Sequence, residues 1–397
     1  MSFTQIGILL FIVAFVVTLA VYPFVLGFAR RHHIVDNPDT RKLQRFPVPV
    51  MGGTAVFAGI LFATFVATFF FSFELLGPCL LAMAFMYVVG TWDDISELRA
   101  QTRFLLEIIL VWGIIISTRH YIDHFFGLWH LNVMSGVYGV PLSILAGVGI
   151  INAVNLIDGV DGYSPAFGMM ACSCFAYCFY AAGDTTMGSL SIICAGALMP
   201  FFLHNVFGRR SKMFIGDGGT LMLGTAMTIF VFNVLSTEGH CAHFEKDGMG
   251  LIPFALAVMS VPVFDTLRVM STRMYRGLSP FHADRTHLHH LYIEMGFSHV
   301  GAAISIVTTN LLTVMLWLLS WKLGASIDTQ FYIVVFLSFM STFGFYWFIK
   351  WNKKHDTRFY AFCCRMGEHT HLERKGSWLF IQRMVDMNVF GIGKNVK

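Results

Sequence analysis

Long apolar stretches separated by short polar stretches run along almost the whole chain. Most of the apolar stretches approach the roughly 20 residues that one helix needs to cross the hydrocarbon core of a bilayer. The pattern therefore predicts an all-α fold, a polytopic bundle of about eleven transmembrane helices. The predicted spans are 5–28, 51–71, 75–91, 104–118, 139–155, 164–182, 188–206, 219–236, 250–270, 301–321 and 330–350.

Composition supports an integral membrane protein and argues against a soluble protein with an oversized core. Hydrophobic residues make up 56% of the chain and charged residues only 13%, against about 25% charged residues in soluble domains. The first apolar stretch is longer than the core of a signal peptide and has no basic segment before it, so we expect a retained helix. The eight cysteines show no ligand spacing, and we infer neither a disulfide nor zinc from them.

The distribution of basic residues predicts the orientation of the bundle. With eleven spans the loops alternate between the two sides, and 24 of the 27 Lys and Arg residues fall on one side. The other side holds only Arg119, Lys246 and Lys322. By the positive-inside rule the basic side is cytoplasmic, which places the N-terminus outside and the C-terminus in the cytoplasm.

This topology divides the chain into two regions. Residues 1–350 are predicted to form a single transmembrane domain, and residues 351–397 a basic cytoplasmic tail. The net charge of +4 then describes a basic membrane face in contact with membrane lipids, and not a nucleic-acid binder. The predicted cytoplasmic loops are 30–50, 92–103, 156–163, 207–218 and 271–300.

Two of these loops concentrate oxygen ligands at the membrane face. Asp93 and Asp94 are adjacent at the end of an apolar run, where carboxylates are costly unless they are paired, metal-bound or perturbed. The segment Asn152–Gly162 brings Asn152, Asn155, Asp158 and Asp161 out of a span at three-residue steps. Such ligands suit magnesium, which takes one or two protein carboxylates together with substrate phosphate. A solvated helix end that satisfies its own backbone is the alternative.

The remaining loops supply cations, an aromatic ring and imidazoles. Arg209–Thr220 combines three cations with Phe214, Asp217 and a glycine turn before the next helix, where backbone N–H groups can bind phosphate. Ser279–His290 carries four histidines. The spacing of His287, His289 and His290 lacks the i, i+4 pair of a helical zinc site, so we prefer pyrophosphate or sugar binding there over zinc or a solvated turn.

In these motifs the chain resembles the polyprenyl-phosphate N-acetylhexosamine-1-phosphate transferase superfamily. It looks closest to the WecA-like branch, with the TagO-like branch next. The resemblance runs from about Val35 to Phe297 and follows the order of the cytoplasmic loops. The motifs that carry it are Asp93-Asp94, Asn152 to Gly162, Phe214-Ile215-Gly216-Asp217 and Ser279 to His290, including Ala-Asp-Arg before His-Leu-His-His.

The resemblance implies the transfer of N-acetylhexosamine-1-phosphate, most simply GlcNAc-1-phosphate, from a UDP-sugar to undecaprenyl phosphate, with release of UMP. It implies an enzyme of the bacterial cytoplasmic membrane whose active site faces the cytoplasm and which starts lipopolysaccharide, O-antigen or teichoic acid synthesis. The expected cofactor is Mg²⁺, with Mn²⁺ as the alternative ion. A homodimer is left open.

The resemblance also implies roles for particular residues. Asn155 and Asp217 are expected to bind the metal. Asp93 and Asp94 match a catalytic pair that acts as a base or positions the lipid phosphate. Substrate-binding residues are expected at three places: Lys42 and Arg103 near the phosphates; Asp158, Gly159, Asp161, Asn205 and Phe214 at the uridine; Arg273, His287, His289 and His290 at the pyrophosphate and sugar.

A general base has little to contribute to this reaction. A phosphate monoester has a second pKa of about 6, so the lipid nucleophile is mostly ionised at neutral pH. We therefore prefer a positioning role for Asp93.

Two other functions compete with this interpretation. A flippase or transporter of an anionic lipid-linked sugar needs polar residues inside the membrane. A CDP-alcohol phosphatidyltransferase has a longer aspartate pattern, which the segment Asp158–Gly162 does not continue.

Overall fold

A computed structural model of the protein describes residues 3–37, 46–71, 73–280, 285–372 and 376–387. Its regular structure is almost entirely helical, as the apolar pattern predicts. The exception is a pair of short antiparallel strands, β1 (Val35–Asp36) and β2 (Val48–Pro49). The helices are α1 (Phe3–Arg31), α2 (Gly52–Ala67), α3 (Phe73–Ser96), α4 (Ala100–Thr118), α5 (Gly136–Leu156), α6 (Tyr163–Ala181), α7 (Thr185–Phe207), α8 (Gly216–Val234), α9 (Leu251–Val258), α10 (Ser260–Tyr275), α11 (Leu288–Glu294), α12 (His299–Lys322), α13 (Ile327–Phe339), α14 (Phe345–Lys354), α15 (Arg358–Glu368) and α16 (Gly376–Met387).

Each predicted apolar run coincides with a helix or with a broken helix, but the count of eleven spans is not confirmed. Within the described residues, seven helical segments are long and apolar enough to cross a membrane, with α13 and α14 counted together as the continuous segment Ile327–Lys354. The number is eight if the bent pair α9–α10 is one span. The runs at α2, α6 and α8 fall outside this set; α2 has only 16 residues. The protein is thus a multi-pass membrane protein, and the orientation of its termini stays a prediction.

The predicted run 250–270 is divided by a sharp bend. Helices α9 and α10 meet at an angle of 73°. The side chain of Asn310 on α12 satisfies backbone groups at the bend. Its Oδ1 accepts a hydrogen bond from the Val261 amide at 3.1 Å, and its Nδ2 donates to the carbonyls of Ala257 and Val258. A broken helix is tolerated at membrane depth where side chains satisfy the freed backbone groups.

Helix α8 forms the centre of the bundle and packs most extensively on α3 and α5. Every residue of α8 except Asp217 is buried, so this helix needs no lipid-facing surface. Its close approach to α3 depends on Gly90, because a Cβ atom there would lie 2.4 Å from the Asp217 carbonyl oxygen. The core of the protein therefore holds the first turn of α8 in a fixed position.

The outer helices expose large apolar side chains, such as Ile12 on α1, Trp112 on α4 and Leu312 on α12. Such a surface fits contact with lipid. Helix α16 returns to pack on α7, with the Trp378 and Phe207 ring centroids 4.5 Å apart.

Candidate active site

The predicted cytoplasmic loops enclose one large cavity at an end of the bundle. Its volume is about 1220 Å³. The wall includes segments that are far apart in sequence: the β1–β2 region, the end of α3, the α5–α6 loop, the α7–α8 loop and the start of α11. Ten residues selected from the sequence line it, namely Asp94, Asn155, Asp158, Gly159, Asp161, Asn205, Phe214, Asp217, His289 and His290.

Asn155 and Asp217 lie side by side on this wall. Asn155 Nδ2 is 2.7 Å from Asp217 Oδ1 and 2.8 Å from Thr220 Oγ1. Asp217 is the first acidic residue of α8, and 37% of its side chain is exposed. An amide and a carboxylate that meet at a polar cavity form a donor set that suits Mg²⁺, which keeps several positions for water and substrate phosphate. The residues therefore fit the metal expected from the resemblance.

Arg103 links three carboxylates beside this pair. Its guanidinium lies 3.2 Å from Asp93 Oδ2, 3.5 Å from Glu107 Oε1 and 3.7 Å from Asp217 Oδ2. Glu107 is fully buried and also accepts a hydrogen bond from Asn152 Nδ2. Asp93 additionally accepts from the Leu98 amide at 2.7 Å, at the end of α3. This network fixes Arg103 next to the candidate metal ligand.

Asp94 caps the N-terminus of α8 from a neighbouring helix. Its Oδ1 accepts from the Asp217 amide at 2.8 Å, and its Oδ2 accepts from the Gly218 amide at 3.1 Å. A carboxylate there satisfies two amides that lack intrahelical partners and interacts favourably with the helix dipole. Gly216 is required beside it, since its φ is +74° and a Cβ atom would lie 2.5 Å from Asp94 Oδ2. Asp94 thus holds the backbone that presents Asp217.

The α5–α6 loop brings two aspartates with opposite titration behaviour to the cavity. The pKa of Asp158 is raised to about 7, first by burial and then by the charges of Asp217 and Asp161, which together outweigh the lowering effect of a hydrogen bond from Ser164 Oγ. Burial would also raise the pKa of Asp161. However, His299 and Lys212, at 3.0 Å and 2.6 Å from its Oδ2, lower that pKa below its usual value. Asp161 is therefore an ionised anchor for Lys212.

The three histidines selected from the sequence occupy different positions. His289 packs on the backbone of Gly159, where an added Cβ atom would lie 2.0 Å from its Nε2. Burial, followed by the neighbouring His290 and His287, lowers the pKa of His289 well below its usual value. A neutral imidazole offers one donor and one acceptor. His290 lines the same cavity.

His287 lies behind this wall, in a buried ion network. Its Nδ1 is 2.9 Å from Asp265 Oδ2, and Asp265 Oδ1 is 2.7 Å from Arg268. Arg273 is also buried, and its guanidinium donates to the Pro280 carbonyl at 2.7 Å. His287 thus joins its loop to α10, and Arg273 contacts the start of the same loop at Pro280; neither lines the described cavity wall.

Asn205 and Phe214 hold neighbouring loops together. Asn205 Oδ1 accepts from the Gly162 amide at 2.6 Å, and its Nδ2 donates to the Met213 carbonyl at 3.0 Å. The Phe214 amide donates to the Pro49 carbonyl in β2 at 2.8 Å. The Lys212 ammonium lies 5.8 Å from the centre of the Phe214 ring. A flat ring beside a cation suits a planar ligand with attached phosphate.

Lys42, predicted to lie near the phosphates, is outside the described residues. Lys212 and His299 also line the cavity, although neither is among the site residues predicted from the sequence. The basic run Arg209–Lys212 was visible in the sequence and could have identified Lys212. His299 begins α12 and has no local pattern that distinguishes it.

Among the described residues, no three His, Cys, Asp or Glu side chains converge on a point where they could hold a metal ion.

Comparison with known proteins confirms the resemblance expected from the motifs. Residues 76–235 match the family model described as Glycosyl transferase family 4. That range contains the aspartate pair, Asn155 and Asp217, whereas Arg273 and the histidines lie beyond it.

Named relatives cover most of the chain. A Yersinia pestis protein named undecaprenyl-phosphate alpha-N-acetylglucosaminyl 1-phosphate transferase is 28% identical over 73% of this chain and 78% of its own length. The Escherichia coli (strain K12) protein of that name is 27% identical over 71% of this chain and 75% of its own length. A Bacillus subtilis (strain 168) protein, named as a probable undecaprenyl-phosphate N-acetylglucosaminyl 1-phosphate transferase, is 28% identical over 83% of this chain and 90% of its own length.

Proposed function

We propose that this relative of the family 4 glycosyl transferases moves N-acetylglucosamine-1-phosphate from a UDP-sugar to undecaprenyl phosphate. UMP leaves, and the lipid-linked sugar starts the synthesis of a cell-envelope polysaccharide. The observation that carries the proposal is the Asn155–Asp217 pair, 2.7 Å apart, on the wall of a polar cavity at the end of a membrane bundle. We further propose that this end faces the cytoplasm at the bacterial inner membrane.

The site is proposed to work by positioning and charge neutralisation, which is most of what phosphoryl transfer requires. Asp217 and Asn155 would hold Mg²⁺. When bound, the ion neutralises charge on the pyrophosphate. Arg103, held by Asp93 and Glu107, places a fixed positive charge next to Asp217. Lys212, held by Asp161, places a second positive charge on the α7–α8 loop.

The uridine end of the donor is proposed to bind where the α5–α6 and α7–α8 loops meet. Phe214 offers a face for stacking, with the Lys212 ammonium 5.8 Å from its centre. Asp158 and Gly159 line the same wall and offer a carboxyl group and backbone for hydrogen bonding. His289, which packs on Gly159, and His290 line the same cavity, where imidazole N–H groups can donate to phosphate or sugar oxygens.

The contacts of Asp93 support positioning rather than proton abstraction. Both of its carboxylate oxygens are engaged, one by the Leu98 amide and the other by Arg103. A carboxylate used in this way holds a cation and the end of α3. The ionised lipid phosphate needs no base, since its second pKa is about 6.

We expect Asp93→Asn to lower the rate of UMP release by about 10- to 100-fold, because a charge-assisted contact with Arg103 weakens by about 1.5–3 kcal/mol. The pH profiles of the variant and the wild type should stay parallel between pH 6 and 9. Glu97→Gln, which removes an exposed carboxylate at the cavity rim, is the matched control and should retain most activity. Recovery of the Asp93→Asn rate at high pH would instead indicate that Asp93 is a general base.

The proposed function is tested with purified protein in lipid nanodiscs, undecaprenyl phosphate and a panel of UDP-N-acetylhexosamines, by measuring UMP release. Release is expected with UDP-GlcNAc, to depend on the lipid acceptor, and to stop when EDTA removes the divalent ion. Reactions without acceptor control for simple hydrolysis. Absence of UMP from every donor would refute the transferase assignment, and release that persists in EDTA would refute the metal assignment alone.

A further inference from the structure

The α7–α8 loop carries two cavity residues, Lys212 and Phe214, on a segment that has no regular secondary structure. Two side chains of α1 hold its backbone. Tyr22 Oη on α1 donates to the Ser211 carbonyl at 2.8 Å, and the Arg30 guanidinium donates to the Arg210 carbonyl. These contacts satisfy carbonyl groups only, so the amide groups of the same turn need an acceptor from elsewhere.

That acceptor is Asp386, near the end of helix α16. Its carboxylate accepts from the Ser211 amide at 2.9 Å, the Arg210 amide at 3.1 Å and Ser211 Oγ at 2.8 Å. Asp386 is only 8% exposed. A buried carboxylate that accepts three hydrogen bonds from two consecutive residues fixes both the position and the direction of that backbone.

Helix α16 is in turn seated on the end of α7. Trp378 is 9% exposed, and its ring lies 4.5 Å from that of Phe207, directly before the α7–α8 loop. Trp378 and Asp386 are eight residues apart, so they share one face of the helix. The other side of α16 exposes Phe380 and Met384. The helix therefore contacts the bundle on one face through a ring and a carboxylate.

We propose that Asp386 is a positioning residue of the donor site, through which the C-terminal helix α16 sets the placement of Lys212 and Phe214. The identity of the donor rests on the function proposed above, whereas the contacts between Asp386 and the α7–α8 loop do not depend on it. Ser211 is adjacent to Lys212, whose ammonium reaches Asp161 at 2.6 Å. Displacement of the loop by about 1 Å is enough to impair binding geometry severely.

This role lies outside the region that matches the family model, which ends at residue 235. The tail from residue 351, predicted from its charge to be a separate basic region, would then complete the catalytic domain. Donor affinity would depend on a segment more than 150 residues downstream of the loop that it holds.

Asp386→Ala tests this role, with Asp386→Asn as the conservative variant and Glu368→Ala, an exposed carboxylate on α15, as the matched control. In nanodiscs, Asp386→Ala should raise the KM for UDP-GlcNAc about tenfold and lower kcat less than threefold, because the loop binds donor while the metal pair is untouched. Asp386→Asn should recover part of the affinity, since its remaining oxygen can still accept from Ser211. Glu368→Ala should match the wild type.

Hydrogen exchange supplies a readout that needs no activity. Asp386→Ala should accelerate exchange of the amides in 209–213 at least tenfold and leave α3 and α8 unchanged. Unchanged exchange together with unchanged KM would overturn the proposal. If the wild type releases no UMP but the exchange result holds, only the proposed function fails. Should Asp386→Ala not fold, Ser211→Ala removes one donor and should raise KM about threefold; an unchanged KM there would also count against the proposal.

Discussion

Asp217→Ala is expected to reduce the rate of UMP release by at least about 1,000-fold, the largest effect of any single substitution in this protein. A divalent ion contributes several kcal/mol to the stabilisation of developing charge on phosphate oxygens, and each 1.36 kcal/mol is tenfold in rate. Asp217 is the proposed anionic ligand, and the Asn155 amide beside it is too weak a ligand to hold the ion alone. The measurement is UMP release across a titration of Mg²⁺ from micromolar to tens of millimolar.

The fold should survive this change. Asp217 is the one residue of α8 that is not buried, so alanine there creates no cavity and leaves the backbone amide free to bond Asp94. Thermal unfolding in nanodiscs should therefore match the wild type. Glu97→Gln removes a carboxylate from the same cavity without removing a proposed ligand, and it should keep the wild-type Mg²⁺ dependence. A variant that retained both rate and Mg²⁺ dependence would place the metal at other residues.

The apolar pattern was enough to predict where the helices lie. All eleven predicted runs fall on helices, because burial in lipid or in a core requires continuous apolar surface and a satisfied backbone. The number of spans was not predictable in the same way. Helix α8 is apolar because other helices surround it, and α2 is apolar but only 16 residues long. The composition of a helix does not show whether its apolar side chains contact protein or lipid.

Most of the site residues predicted from the sequence lie on the cavity wall, since ten of the fifteen line it in the structure. The sequence could not predict how those residues are used. The capping of α8 by Asp94 joins positions 123 residues apart, and the contact between Asp386 and Ser211 joins positions 175 residues apart. Neither contact leaves a local pattern. The break at Met259 between α9 and α10 was missed for the same reason, because Asn310 of a later helix satisfies it.

The two adjacent aspartates of α3, Asp93 and Asp94, therefore have different structural roles. Asp93 contacts a side-chain cation, whereas Asp94 accepts hydrogen bonds from two backbone amides at the start of α8. Replacement of each by asparagine should separate the two roles. The change at Asp93 alters charge near the phosphates, and the change at Asp94 alters the placement of the metal ligand.

Asp94→Asn is expected to lower the rate of UMP release by about 100-fold and to raise the Mg²⁺ concentration needed for half-maximal rate. Asparagine has one acceptor oxygen, so its NH₂ group must face the amide of either Asp217 or Gly218, and one charge-assisted hydrogen bond worth about 1.5–3 kcal/mol is lost. The first turn of α8, and with it the Asp217 carboxylate, then shifts. Rate as a function of Mg²⁺ and thermal unfolding are the two measurements.

Unfolding should occur at a lower temperature in Asp94→Asn than in Asp93→Asn, because only Asp94 caps a buried helix at the centre of the bundle. Saturating Mg²⁺ should restore part of the Asp94→Asn rate, since a displaced ligand binds weakly but is still present, and it should restore none of the Asp217→Ala rate. A loss of rate in Asp94→Asn with unchanged Mg²⁺ dependence and unchanged stability would show that Asp94 acts on the substrate directly, and the capping contact would then be incidental to catalysis.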